Sequence, residues 1–121
     1  MKKPPTVQEL EIMKIVWEME AATVRDVYEK IRERRRIAYT TVMTMMNIME
    51  SKGLLKKKLL GRAYLYEPSH SKNKTLQKIV MEFVNRVFNG SAEALVVQLI
   101  HDRRLSPDEL DKIRQSIEEE K

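Results

Sequence analysis

Residues 37–53, IAYTTVMTMMNIMESKG, decide the fold of this chain. Four apolar side chains recur there at the helical spacing i, i+3, i+4 and i+7: Val42, Met45, Met46 and Met49. The opposite side of the helix carries small, uncharged polar side chains: Thr40, Thr44, Asn47 and Ser51. A solvent-facing helix in a chain that is 34% charged would ordinarily carry Lys and Glu there. The stretch therefore predicts a helix with one side in the core and the other against a polar partner.

The charge around this helix indicates what that partner is. Arg34, Arg35 and Arg36 directly precede the helix. Residues 1–68 contain 14 Lys and Arg against 9 Asp and Glu, whereas residues 69–121 contain 9 of each. Such a one-sided excess is expected of a nucleic-acid surface, because counterions released from phosphates supply much of the affinity. We hypothesise that the helix lies in the major groove of DNA, although charge alone fits a solvated basic surface equally well.

The composition excludes several other classes of protein. A chain of 121 residues is one domain or a small domain with an arm, and 42% hydrophobic residues exclude a disordered protein. The absence of cysteine excludes disulfides and thiolate metal sites, and it fits a reducing compartment. The apolar runs are too short for a membrane span, and the basic start leads into Pro4-Pro5 and not into a signal-peptide core. We expect a cytoplasmic protein.

Two helices are predicted before the central one. Thr6, with Glu9 three residues later, predicts a capping box that begins a helix running to about Met19. Trp17 lies on the apolar stripe of this helix, which predicts a core residue and not a binding residue. Thr23 predicts the cap of a second helix that runs into the arginines.

A basic hairpin is predicted after the central helix, which we expect to end at a left-handed Gly53. Residues 54–60 and 63–67 predict two strands joined by a turn at residues 61–62. Three helices followed by a hairpin is the order of a winged helix-turn-helix domain, here over residues 1–68. The hairpin carries an unusual basic load, which predicts contacts with phosphates: Lys56, Lys57, Lys58 and Arg62.

The second half, residues 69–121, predicts three further helices with strongly apolar stripes. A piece of about 50 residues seldom supports its own core, so a second copy is expected to cover the stripes. The predicted interface residues are Leu76, Ile79, Val80, Phe83, Val87, Leu95, Val96, Leu99, Ile100, Leu110, Ile113 and Ile117. The alternative is that these helices fold back on the first half. We thus predict a mainly α fold with a small β-hairpin: a winged helix-turn-helix domain followed by a three-helix dimerisation arm.

No pattern in the sequence indicates catalysis. His70 and His101 are far apart in the chain, and the sequence has no HExxH motif and no glycine-rich phosphate loop. The acidic residues near Asp108 crowd a helix start, where they stabilise the helix dipole. We therefore expect neither an enzyme nor a bound cofactor or metal.

Several segments, taken together, resemble the BlaI/MecI penicillinase-repressor family. They are ELEIMKIVWE at 9–18, AYTTVMTMMNIMESKGLL at 38–55, GRAYLYEP at 61–68, FVNRVFNG at 83–90 and LSPDEL at 105–110. The resemblance runs from Val7 to about Ile117 in the family's order. The helix segment and the wing segment are the more specific ones.

The resemblance implies a homodimeric winged-helix repressor on a palindromic operator upstream of β-lactamase or other resistance genes. It further implies derepression by cleavage within the dimerisation helices, after a membrane sensor-protease has detected a β-lactam. The family's recognition helix corresponds to residues 38–52, and its basic wing tip corresponds to Arg62. The family's DNA-facing positions correspond to Thr40, Thr41, Met43 and Thr44.

This chain departs from the family pattern in three places. Where the family often has Ser-Pro-Lys, it has Ala38, Tyr39 and Thr40, and so lacks a capping hydroxyl and a phosphate-binding lysine. Gln98-Leu99 occupies the place of the family's scissile Asn-Phe. The cysteine pairs of copper-responsive relatives are absent, which excludes metal sensing by thiolates.

The leading hypothesis is a DNA-binding transcriptional repressor. We expect the base contacts to come from Thr40, Thr41, Met43, Thr44 and Asn47, with Met43 against a thymine methyl. The expected phosphate contacts are Arg36, Ser51, Lys56, Lys57, Lys58 and Arg62. Two alternatives stay open: a winged-helix adaptor that binds a partner protein, and a ligand-responsive regulator that is not relieved by proteolysis.

Overall fold

The computed structural model describes residues 3–120, which form six helices and one hairpin. In order these are α1 (Val7–Met19), α2 (Val24–Arg32), α3 (Tyr39–Ser51), β1 (Leu55–Leu60), β2 (Ala63–Pro68), α4 (Lys72–Val87), α5 (Ala92–His101) and α6 (Pro107–Glu119). The predicted class, mainly α with a small β-hairpin, is confirmed. The chain divides into two compact units, Met1–Ile79 and Val80–Lys121, and the division falls within α4.

Side-chain caps begin most of these helices where the sequence predicts them. Thr6 and Glu9 form a capping box at α1, and Ser106 and Glu109 form one at α6. Thr23 caps α2, and the Asp26 carboxylate completes a capping box by accepting a hydrogen bond from the Thr23 N–H. By contrast, Ala38 at the N-cap position of α3 makes no side-chain cap. The beginning of α3 therefore depends on tertiary contacts.

The end of α3 is fixed by its own backbone. Gly53 has φ of 82°, a left-handed conformation that glycine adopts without steric cost. The N–H of Gly53 donates to the carbonyl of Glu50 at 3.0 Å, and that of Leu54 donates to Met49 at 2.9 Å. These two bonds form a Schellman motif, so the chain turns out of the helix directly into β1.

The core of the first unit lies between α1, α2, α3 and the hairpin. Val42, Met46 and Met49 of α3 are fully buried there, as their spacing predicts. Tyr66 of β2 is also buried, and its backbone pairs with Ala22 just before α2. Trp17 packs partly buried against this core, and its indole N–H donates to the carbonyl of His70 at 3.1 Å.

The second unit leaves much of its apolar surface exposed within one chain. Neither α5 nor α6 contains a buried residue. Of the predicted interface residues, Leu76, Ile79, Leu95 and Leu110 are half-buried, and the other eight are exposed. None of the helices in residues 3–120 is both long enough and apolar enough to cross a membrane.

An ion pair joins the beginning of α1 to the end of α3. Both carboxylate oxygens of Glu9 accept hydrogen bonds from Nζ of Lys52 at 2.9 Å, and one also accepts from the Thr6 N–H. Burial by itself raises the pKa of Glu9, but these hydrogen bonds outweigh burial and hold the pKa below its ordinary value. Glu9 is only 7% exposed, but the Lys52 side chain is 36% exposed, so water partly screens the pair.

Glu9→Gln should lower the free energy of unfolding at neutral pH by roughly 1–2 kcal/mol, because it removes a charged cap and an ion pair. The folded-state pKa is depressed, so this contribution is complete above the unfolded pKa of about 4.3 and is lost as pH falls through the folded value. Chemical denaturation at pH 7 and near pH 3 should show a difference from wild type that shrinks in acid. Glu18→Gln, at an exposed position of α1, is the control. A constant difference would contradict this assignment.

Candidate nucleic-acid interface

The outer side of α3 is a continuous exposed surface without a charged group. Thr40, Thr44, Asn47 and Ser51 are all exposed, as their spacing predicts. By the helical periodicity, Thr41 and Met43 lie on opposite flanks of this line. The structure thus brings the predicted base-contacting residues onto one side of one helix.

Asn47 is tied to the hairpin by a hydrogen bond that the sequence pattern does not reveal. The hydroxyl of the buried Tyr66 donates to Oδ1 of Asn47 at 3.0 Å. Burial is the main cause that raises the pKa of Tyr66, and nearby charges add to it. The hydroxyl therefore keeps its proton and stays a donor. With Oδ1 engaged, the amide N–H groups of Asn47 are the part of its side chain left for another partner.

The two faces of the hairpin separate its three lysines. In the antiparallel register Lys57 lies opposite Tyr66, and Nζ of Lys57 is 4.7 Å from the centre of the Tyr64 ring. Lys56 and Lys58 alternate to the other face, where Lys58 forms an ion pair with Glu67 at 2.8 Å. Successive side chains of a strand point to opposite faces, so the sequence alone could have predicted that the three lysines do not share one face.

A groove of about 450 Å³ lies between α3, the beginning of α2 and the hairpin; we call it the α3–hairpin groove. Lys57 and Arg62 line it from the hairpin, and Met43 and Asn47 line it from α3. Its remaining lining residues are Thr23, Val24, Arg25, Tyr39, Ala63, Tyr64 and Tyr66. The structure therefore places Lys57 and Arg62 beside the predicted reading surface, whereas Lys56 and Lys58 lie away from it. Sequence reasoning missed Arg25, because a lone arginine in the first turn of α2 has no distinguishing pattern.

The arginines between α2 and α3 are not equivalent. Arg35 donates to Glu11 at 2.7 Å, and Arg34 donates to the same carboxylate at 3.4 Å. The hydrogen bond from Arg35 holds the pKa of Glu11 below its ordinary value. Arg36 is exposed and forms no ion pair with any residue of 3–120. Of the three, Arg36 is thus the one whose charge no carboxylate of residues 3–120 engages, and its contact with a phosphate stays a prediction.

The candidate cleavage site lies within a regular helix. Gln98 and Leu99 are both exposed on α5, and the Gln98 amide donates to Asp102 at 2.9 Å.

Within the described part of the chain, no cluster of His, Asp and Glu could hold a metal ion.

Comparisons with known proteins agree with this arrangement. A sequence model described as "penicillinase repressor" matches residues 5–119. The penicillinase repressor of Bacillus licheniformis is 28% identical over 123 residues, which cover 100% of this chain and 96% of the relative. The transcriptional regulator BlaI of Mycobacterium tuberculosis is 31% identical over 110 residues, 89% of this chain and 78% of the relative. A solution structure of the DNA-binding domain of the repressor BlaI matches with a TM-score of 0.51 and 26% identity, over 60% of this chain and 90% of that one.

Proposed function

The chain belongs to the penicillinase repressor family, and we propose that it is a homodimer that represses transcription by binding a palindromic DNA operator. The observation that carries this proposal is the exposed, uncharged outer side of α3 with cations beside it. One relative named as a penicillinase repressor, another named as a transcriptional regulator, and a fold shared with the DNA-binding domain of the repressor BlaI support it.

The side chains on the outer side of α3 suit base edges. Bases in the major groove present neutral donors, acceptors and the thymine methyl, which hydroxyls, amides and thioethers can match. Thr40, Thr41 and Thr44 supply hydroxyls, and Met43 supplies an apolar contact for a thymine methyl. Asn47 supplies amide N–H groups, because Tyr66 already engages its oxygen.

The charges that hold the backbone lie to either side of this surface. Arg36 lies before α3, and Lys57 and Arg62 lie across the groove from it. Ser51 is exposed as well and completes this set, whereas Lys56 and Lys58, also predicted as phosphate contacts, lie on the other face of the hairpin. Phosphate contacts position a protein on DNA without reading sequence, so this layout separates affinity from specificity.

Thr44→Ala should reduce the preference for the operator over random duplex by roughly tenfold, because one hydroxyl contact to a base is lost. Arg62→Ala should instead weaken both duplexes about equally and flatten the salt dependence by about one unit of slope. Fluorescence anisotropy at several salt concentrations would measure both, with the duplex that the protein selects from a random library as the operator. Thr44→Ser, which keeps the hydroxyl, is the control. An unchanged preference in Thr44→Ala would show that α3 reads DNA through other residues.

The proposed dimer follows from the apolar surface of the second unit. Its exposed residues include Val80, Phe83 and Val87 at the end of α4, and Ile113 and Ile117 on α6. About 40 residues with so little buried surface are too few for an independent core. A second copy related by a two-fold axis covers the exposed residues of α4 and of α6 at once. The resulting dimer presents its two copies of α3 to two inverted half-sites.

Ile117→Glu should shift the protein from dimer to monomer, because it places an unpaired charge in the proposed interface. Ile117 is 54% exposed in one chain, so the substitution should leave the monomer folded. Sedimentation equilibrium should give twice 14.3 kDa for wild type and a dimer dissociation constant raised at least about tenfold in the variant. Gln115→Glu adds the same charge at an exposed position of the same helix and is the matched control. A wild-type monomer at micromolar concentration would contradict the proposed dimer.

We further propose that repression is relieved by proteolysis of α5 at Gln98-Leu99. A protease binds its substrate as an extended chain, so α5 has to unfold locally before it is cut. Because α5 buries no side chain within one chain, its intrinsic resistance to unfolding is small. A cut at this bond removes α6 from the rest of the chain, and with it part of the proposed interface.

Extracts of bacteria that carry the gene and have been exposed to a β-lactam should cut the protein into fragments of 98 and 23 residues. Mass spectrometry of the purified protein after incubation identifies the bond, and extract from unexposed cells is the control. Intact protein in both extracts would favour relief by a ligand, and fragments of other masses would place the cleavage elsewhere.

A further inference from the structure

The α3–hairpin groove is lined by positively charged side chains. Arg25 of α2, Lys57 of β1 and Arg62 of the turn all line it, although they come from three separate parts of the chain. None of the described residues that line the groove is acidic. Like charges that converge in this way repel one another, and an anion bound between them would relieve the repulsion.

We propose that the α3–hairpin groove binds one backbone phosphodiester of the operator, and that Arg25 is a phosphate contact equal in role to Arg62. This inference rests on the proposed DNA-binding function. It adds α2 as a third element of the interface and assigns Arg25 a role in it.

Tyrosine rings hold two of the groove's cations without neutralising them. The guanidinium carbon of Arg25 lies 5.5 Å from the centre of the Tyr39 ring, and Lys57 lies similarly against Tyr64. Tyr28 packs edge-on against Tyr39 at 5.4 Å and so supports that ring. A cation on an aromatic face keeps its full charge and most of its N–H donors, so it stays available to a phosphate oxygen.

The ion pair that Arg25 forms is weak enough to exchange for a phosphate. Arg25 and Glu29 are 3.5 Å apart, and their side chains are 69% and 46% exposed. Exposed pairs of this kind contribute little to stability and are screened by salt. By comparison, Arg35 and Glu11 are 2.7 Å apart and the Glu11 side chain is only 22% exposed. Arg25 is therefore the more readily released arginine.

The position of the groove favours a DNA phosphodiester as the anion. Met43 and Asn47 line both the groove and the flank of the proposed reading surface. The major groove is about 12 Å wide, so a helix placed in it lies close to the phosphates along its edges. With bases against the outer side of α3, one strand of the backbone passes along the side where the α3–hairpin groove opens.

Arg32 offers a closely matched control for Arg25. Both residues belong to α2, both pair with Glu29, and each lies over a tyrosine ring, Tyr28 at 5.7 Å in the case of Arg32. Only Arg25 is among the residues that line the groove. The variants Arg25→Ala and Arg32→Ala therefore remove the same charge and similar contacts, but only Arg25→Ala removes a charge that lines the groove.

The test is the affinity of full-length Arg25→Ala, Arg32→Ala and Arg25→Lys for selected and random duplexes across a salt series. Arg25→Ala should weaken both duplexes about five- to tenfold and reduce the salt slope by about 0.9. Arg32→Ala should change affinity by less than about twofold, and Arg25→Lys should restore the slope because it keeps the charge. Thermal melting of each variant confirms that it is folded.

Three results would overturn the groove proposal while leaving the proposed function in place. They are wild-type affinity in Arg25→Ala, equal losses in Arg25→Ala and Arg32→Ala, and a loss in Arg25→Ala confined to the selected duplex. Equal losses would indicate diffuse attraction, and a confined loss would indicate a base contact. Wild-type protein that binds neither duplex would instead overturn the proposed function.

Discussion

The burial of one side of α3 is the interaction on which the rest of the interface depends. Val42, Met46 and Met49 are fully enclosed, and this fixes how the helix is rotated about its axis. Successive residues on a helix are about 100° apart, so a shift of one position would carry a methionine outward and a threonine into the core. The apolar contact thus determines which hydroxyls face outward. Specificity in the proposed complex is a consequence of packing.

Polar contacts then hold α3 along its length. Lys52 binds Glu9 at its end, and Asn47 accepts a hydrogen bond from Tyr66 at its middle. At its beginning, where no side chain caps it, Tyr39 contacts the Tyr28 ring edge-on and the guanidinium of Arg25. A helix held at three points loses little further freedom on binding, which favours affinity. These contacts place no charged side chain on the outer side of α3.

Local features of the fold were predictable from the sequence, and distant pairs were not. The caps at Thr6 and Ser106 and the left-handed Gly53 depend on residues within a few positions of one another. The contacts between Glu9 and Lys52, 43 positions apart, and between Asn47 and Tyr66, 19 positions apart, depend on how elements pack. Composition supplied a basic first half, but it could not tell an arginine held closely by a half-buried carboxylate from one in a weak, exposed ion pair. That distinction depends on how the chain folds. Arg35 and Arg25 contribute equally to the net charge, but their ion pairs differ in distance and exposure.

The division into two units gives a physical reason why the proposed relief of repression would leave α3 unaltered. In the proposed dimer, once one copy of α3 is bound, the other binds its half-site at a high effective concentration, which multiplies affinity by about 10²–10⁴ without any new contact. A cut in α5 would remove that gain and leave the core around Met46 intact, because the first unit has its own buried core. Each released half would still bind DNA as a single module, but too weakly to occupy the operator for long. The exposed apolar helices are therefore what makes the proposed switch possible, since a self-sufficient second unit would not depend on its partner.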